Sequence, residues 1–298
     1  MPICLPPISR RRFLAGSLAA GASLFLPRPT RGAEGAADPD RWILLADTHI
    51  WERQDAVTRG TNPAANLARA AREILALRPR PAGVVLAGDT VYMEGHAADY
   101  AAFRDLIRPI RAAGIPMHVA LGNHDHRENF WAAFPDCKPR RPPAPDRHLA
   151  IVETPNANWF LLDSLDKTNS TPGRLGQPQL DWLAAALDAR SEKPAILVAH
   201  HDLGTSRGLL DSEALVDVAA GRKQVKAYFY GHTHAWQVGK QGELHLVNVP
   251  AMAWLFDPSQ PRGWVDVSLR PGGAALVLHA LDHEHPKHGE QTDLKWRT

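Results

Sequence analysis

The stretch KAYFYGHTHAW, residues 226–236, begins as a buried strand and ends on two imidazoles. Tyr228, Phe229 and Tyr230 form an apolar, β-prone run. It breaks at Gly231, and His232 and His234 follow one residue apart. A lone His-x-His after a strand serves hydrogen bonding in a core or at a surface as well as it serves a metal. The rest of the chain must decide.

Four more apolar runs end on polar residues. WILLADTH (42–49) delivers Asp47 and His49, and GVVLAGD (83–89) delivers Asp89. MHVALGNHD (117–125) delivers Asn123, His124 and Asp125, and AILVAHH (195–201) delivers His200 and His201. Near-continuous apolar runs of this length read as strands buried on both faces. Polar groups delivered repeatedly at strand ends suit an α/β sheet, whose ligands bind outside the carboxyl ends of its strands.

Helical spacing fills the intervals. NPAANLARAAREILAL (62–77) has Asn62 as a cap, Pro63 in the first turn, and Leu67, Ala70, Ala71, Ile74 and Leu75 on one face. DYAAFRDLIRPIRAAG (99–114) is in phase and stops near Gly114, with a kink or end expected at Pro109. QPQLDWLAAALDA (177–189) is a third helix. RHLAIVE (147–153) and NWFLLDS (158–164) read as a hairpin around Pro155-Asn156-Ala157. After His234 come the strands ELHLVNV (243–249), GWVDVSL (263–269) and AALVLHAL (274–281), with turns at Gly239, Gly242 and Pro271-Gly272-Gly273. The pattern predicts one α/β domain over residues 38–298, β-rich in its second half, with helices outside. The Pro- and Arg-rich segment 136–145 reads as a surface excursion.

The N-terminus reads differently. SRRRFLAG (9–16) precedes an apolar, Ala- and Gly-rich run to Leu26, the form of an export signal over residues 1–37. The run Phe13–Leu26 is too short to span a bilayer comfortably. Ser9, Arg10, Arg11, Phe13 and Leu14 fit the twin-arginine consensus, so the export machinery of that route is an expected partner and the periplasm the expected location. An ordinary secretory signal or an uncleaved anchor is the alternative. Losing residues 1–37 removes five arginines and one glutamate, which takes the formal net charge from +2 to −2. No basic stripe argues for nucleic acid. Cys4 leaves with the signal, so Cys137 stands alone and no intrachain disulfide is expected.

Taken in order, the strand ends give D-x-H at 47–49, G-D at 88–89, G-N-H-D at 122–125, H at 200 and G-H-x-H at 231–234. From Asp47 through Asp89, Asn123 and His200 to His232 the intervals are 42, 34, 77 and 32 residues. Each element alone is weak. In this order, from about Trp42 to Pro250, they resemble the calcineurin-like metallophosphoesterases. The resemblance implies a four-layer αββα sandwich and two transition-metal ions (Fe, Mn or Zn). It implies hydrolysis of phosphate mono- or diesters of a small substrate by a metal-activated water. It also implies Asp47, His49, Asp89 and His234 around one ion, Asp89 bridging, and Asn123, His200 and His232 around the other. His124 would face the substrate and stabilise the phosphoryl group or protonate the leaving oxygen, with Asp125 orienting it. Independently, mixed imidazole and carboxylate donors suit first-row metals or zinc rather than a calcium cage. Gly88, Gly122 and Gly231 are expected to let the backbone turn sharply. Two rival readings keep the scaffold: an exported nuclease or phospholipid-headgroup diesterase, and a non-catalytic binding module. Near-neutral charge counts against nucleic acid, and the complete donor set against the module.

Other residues compete. Tyr92 completes G-D-x-x-Y, the iron-binding pattern of purple acid phosphatases, but those lack a first-motif histidine and this chain has His49. His49 is therefore favoured and Tyr92 read as a near-site aromatic. His200 is preferred to His201 as the ligand. His96, His118 and His148 read as structural, and DHEHPKHGE (282–290) as a solvated tail. Lys138, Arg140, Arg141 and Arg147 fit either a solvated loop or an anion-facing cover.

Overall fold

The computed structural model describes residues 36–138, 144 and 146–297. The export signal read at 1–37 lies outside them, apart from Ala36 and Ala37, as do Arg140 and Arg141. In chain order the first half runs β1 (Asp38–Leu45), α1 (Pro63–Ala76), β2 (Pro81–Ala87), α2 (Ala97–Ala112), β3 (Met117–Ala120), α3 (Arg127–Ala133), β4 (Ala150–Glu153) and β5 (Asn158–Leu161). The second runs α4 (Gln177–Asp188), β6 (Ala195–Val198), α5 (Ser212–Ala220), β7 (Val225–Tyr230), β8 (Gln237–Gln241), β9 (Leu244–Asn248), β10 (Gly263–Arg270), β11 (Gly273–Ala280) and β12 (Gln291–Lys295).

The strands form two six-stranded sheets, ordered β12-β11-β10-β1-β2-β3 and β4-β5-β6-β7-β9-β8. Alternation along each strand divides its side chains between two layers. Trp42, Leu44, Val85, Trp159, Ile196 and Phe229 meet between the sheets. Ile43, Leu45, Val84 and Leu86 turn outward onto Leu67 and Ile74 of α1 and Phe103 and Ile107 of α2. On the other outer face Phe160, Leu197 and Tyr228 pack on Leu180, Leu183 and Leu187 of α4 and Leu215 of α5. The result is the αββα sandwich. Because β1, β2 and β3 run parallel, as do β5, β6 and β7, the polar run ends gather at one edge of it.

Local expectations mostly hold. Asn62 caps α1, its side chain accepting from the Ala65 N–H at 2.9 Å, with Pro63 next. β4 and β5 pair antiparallel across the expected turn. Pro109 does not stop α2, which runs on to Ala112. It sits in the last turn, where its missing N–H forfeits a single ladder bond. Two helices escape sequence reading: α3 is seven residues long, and α5, at nine, is little longer. Gly239 lies inside β8 rather than in a turn. Residues 282–290 are not a tail but the connection into β12, which pairs with β11. Among the described residues, no helix is long and apolar enough to cross a membrane.

Candidate metal centre

Each expected ligand lies just past the carboxyl end of β1, β2, β3, β6 or β7. Asp47, His49, Asp89, Asn123, His200 and His234 are buried; His232 and His124 are half-buried. Asp47, His49 and His234 bring their donor atoms within 4.8 Å of one another, as do Asp89, His200 and His232, and as do His49, Asp89 and His124. Asp89 Oδ2 stands between the groups, 3.2 Å from His200 Nε2 and 3.6 Å from His49 Nε2. Asp47 Oδ1 lies 3.3 Å from His234 Nε2. His49 and His234 face each other through Nε2 at 3.2 Å, and His232 Nδ1 faces His200 Nε2 at the same distance.

Backbone carbonyls set the rings. His200 Nδ1 meets the Ala87 carbonyl at 2.9 Å and His234 Nδ1 the Trp254 carbonyl at 2.7 Å. A carbonyl only accepts, so each Nδ1 carries the proton, and the neutral ring turns its Nε2 lone pair to the centre. Asn123 Oδ1 is buried with no donor among the described residues. Burial pushes His49 down to about 3 and, with repulsion from His200, His232 to about 4. Burial would raise Asp47 and Asp89, but the surrounding imidazoles hold both below the ordinary carboxylate value. Burial opposes a second proton on His200, yet Asp89 and Asp47 lift it to about 9: the two carboxylates call for positive charge at that nitrogen, which a metal cation would supply in place of the proton. Neutral imidazoles, ionised carboxylates and an unmatched amide oxygen are the donor set a transition metal requires, and they fit the group.

The ligands themselves make the sharp turns. Asp47, His49, Asp89, His232 and His234 have φ of 52°, 43°, 51°, 68° and 52°. This left-handed backbone is uncommon outside glycine, and it concentrates at functional sites. Of the three glycines expected to turn, Gly88 alone has positive φ, at 85°. Gly122 and Gly231 are needed for space: a Cβ on Gly122 would stand 2.3 Å from Asp89 Oδ1, and one on Gly231 2.5 Å from Asp47 Oδ2.

Asp125 does not orient His124. His124 Nδ1 meets the Met93 carbonyl at 2.9 Å, and its backbone N–H donates to Asp89 Oδ1 at 2.8 Å. The Asp125 carboxylate points into the protein and accepts from Gly122 N, Thr90 N and the Tyr100 hydroxyl at 2.9, 3.2 and 2.9 Å. It braces the loops that carry Asp89 and Asn123. Burial and Asp89 push it up to about 6. His124 Nε2 reaches 4.0 Å from Asp89 Oδ2 and lines the cavity.

The competing residues have other polar or ring partners. Tyr92 stacks on Trp51 at 5.1 Å and meets Trp254 edge-on at 6.1 Å. His201 Nδ1 pairs with Ser164 Oγ at 2.8 Å. His118 packs on Trp42, and His148 accepts from Trp131 Nε1 at 3.2 Å. Lys138 pairs with Glu128, and Arg147 is held by the carbonyls of Leu165 and Arg174. Above the donors opens a cavity of about 520 Å³, lined in part by Arg59, Asn169, Arg207, Trp254 and Phe256. None of these was expected from sequence, because each lies in a loop without periodicity. The short apolar group Ala253-Trp254-Leu255-Phe256 is the one local mark that something packs there.

A sandwich with this edge cluster is the architecture of metal-dependent phosphoesterases, and the family profile for calcineurin-like phosphoesterases matches residues 41–236. The chain belongs to that family and is a metal-dependent phosphoesterase that uses two transition-metal ions. It is similar to the 3′,5′-cyclic adenosine monophosphate phosphodiesterase CpdA of Pseudomonas aeruginosa, with 29% identity over 80% of this chain and 85% of that protein. The probable glycerophosphodiester phosphodiesterase GpdQ of Arcobacter nitrofigilis is 26% identical over 64% of this chain and 71% of its own length. A dimetal phosphatase from Danio rerio shares the fold, with a TM-score of 0.69 at 15% identity over 87% of this chain and 100% of that one.

Proposed function

We propose that the enzyme hydrolyses small phosphodiesters, cyclic nucleotides foremost. The observation that carries the reading is the chain of donor groups linked through His49 and Asp89 on the floor of a cavity edged by His124. Asp47, His49, Asp89 and His234 would hold one ion; Asp89, Asn123, His200 and His232 the other. When bound, the ions supply Lewis acidity that polarises the phosphoryl oxygens and lowers the pKa of water. The Ala87 and Trp254 carbonyls keep His200 and His234 in one tautomer. His124, fixed through Nδ1 on Met93, presents Nε2 to the substrate and holds a proton there for the leaving oxygen. The preference for diesters is supported by the relatives, whose names cover cyclic nucleotide and glycerol diesters. Turnover of bis(p-nitrophenyl) phosphate, p-nitrophenyl phosphate and cyclic AMP by metal-loaded enzyme tests it. The diesters should give the higher kcat/KM, and a faster monoester would refute the reading.

The same proposal takes residues 1–37 as a twin-arginine signal and 38–298 as one periplasmic catalytic domain. The Ser9–Leu14 window and the start of β1 at Asp38 support it. Lysine at both Arg10 and Arg11 should block export of the folded precursor, as followed by cell fractionation. Undiminished export would assign the chain to the general secretory route.

A further inference from the structure

The cavity lining is of two kinds. Ser170, Thr171, Thr205 and Ser206 offer hydroxyls; Arg59, Trp254 and Phe256 offer flat surfaces. The Arg59 guanidinium lies 4.9 Å from the centre of the Trp254 ring and 5.7 Å from that of Phe256. No acceptor among the described residues takes its N–H groups. Trp254 is fixed, 3% exposed and stacked on His49 at 4.2 Å. Phe256 packs on His234 at 4.4 Å yet remains 60% exposed, and it joins none of the core clusters. An exposed phenyl ring by itself is ordinary. One that shares a cavity wall with a guanidinium free of any anion, directly above the ligand floor, is a surface prepared for a flat partner.

We propose that Phe256 and Arg59, the guanidinium resting on the buried Trp254 ring, form the stacking wall for a planar heteroaromatic ring in the organic half of the substrate. They would then separate nucleotide diesters from glycerol diesters. The inference rests on the phosphodiester reading above. A nucleobase presents a π-face that both a phenyl ring and a guanidinium plane can cover. A glycerol or ethanolamine group has no such face and would leave the wall in water. With phosphate on the floor, a ribose meets the hydroxyl lining and its base the aromatic one.

Calorimetric binding of AMP and ribose 5-phosphate to the metal-loaded enzyme isolates the ring, because both ligands carry the same sugar phosphate. Wild type should bind AMP at least about tenfold more tightly, the scale of one stacked base. Phe256→Ala and Arg59→Ala should each cut that ratio severalfold and leave ribose 5-phosphate affinity unchanged. Arg59→Lys keeps the charge but not the plane, and should match Arg59→Ala. Equal binding of the two ligands by wild type overturns the wall. So does an equal loss of both in the variants, which would mean that Phe256 acts through His234. Full recovery in Arg59→Lys overturns the stacking role of the guanidinium. Turnover of bis(p-nitrophenyl) phosphate by the same wild-type sample tests the phosphoester reading separately. Inactive protein that still prefers AMP would refute that reading and keep the wall.

Discussion

The two sheets contribute differently to the centre. Strands β1, β2 and β3 deliver both carboxylates, the amide of Asn123, and two imidazoles, His49 and His124. Strands β6 and β7 deliver only imidazoles, at His200, His232 and His234. The first sheet carries the negative charge and keeps it buried, its loops braced by Asp125. The second carries neutral donors whose direction is set by groups outside it. His200 leans on the Ala87 carbonyl across the sandwich, and the His232 N–H donates to Asp47 at 3.1 Å. Neither sheet holds a complete donor set, so closing the sandwich is what makes the site. Charge from one side and orientation from both is a division that substitutions can attack.

The largest effect should come from the first sheet. Asp89→Ala removes the carboxylate between the donor groups, so both ions should be lost and kcat/KM should fall by more than about 10³-fold. His200→Ala should lose mainly one ion and recover in excess metal. Metal analysis beside turnover checks the pair. Equal, unrecoverable loss in both variants would break the division between charge and orientation.

His124 belongs to the same sheet, contacts Asp89 and lines the cavity, and the proposed function turns it to the substrate rather than to an ion. His124→Ala should keep metal content and Tm near wild type while kcat drops about 10²–10⁴-fold. The defect should be smaller for nitrophenyl esters, whose leaving group needs little protonation. Collapse of metal content with activity would make His124 a ligand. Gly122→Ala probes the same sheet more gently. Its Cβ would displace the Asp89 carboxylate, and metal affinity should weaken about 10–100-fold, as when a ligand loses its supporting contacts. Competition with a fluorescent chelator measures this, and unchanged affinity would show that the loop can give way.

The smallest effect on activity lies away from the centre and is read in stability. Burial lowers His118, on β3, to about 4. The folded protein therefore resists a proton that the unfolded chain accepts near 6.5. The stability is complete above pH 6.5 and is lost as pH falls toward 4, by up to roughly 3 kcal/mol. His118→Leu should flatten Tm against pH in that window. An unchanged slope would assign the acid sensitivity to other buried groups.

The ligand floor was legible in sequence because each donor follows its own apolar run. A strand fixes where its last residue goes, so five local patterns suffice to draw the cluster. The rim was not legible, since Arg59, Phe256 and Arg207 converge from loops whose paths depend on the whole sandwich. The role of Asp125 was misread for a related reason. The resemblance implied a carboxylate–histidine pair with His124, but neighbouring side chains in a tight turn diverge, and the carbonyl that holds the ring belongs to Met93. β8 and β12 were missed because an exposed edge strand needs no apolar run: GQ-type and charged residues fill QVGKQ and QTDLK.

The left-handed backbone at Asp47, His49, Asp89, His232 and His234 also constrains heredity. Aspartate, asparagine and histidine enter that conformation most readily among residues with side chains, and all three can donate to a metal. Their codons differ by a single base. The centre can thus exchange charge for neutrality in one mutational step without rebuilding a loop. A glutamate or cysteine at the same position would carry the cost of the left-handed backbone, on the order of 1–2 kcal/mol. At these five positions the backbone therefore favours exchange among three residue types, all of them metal donors.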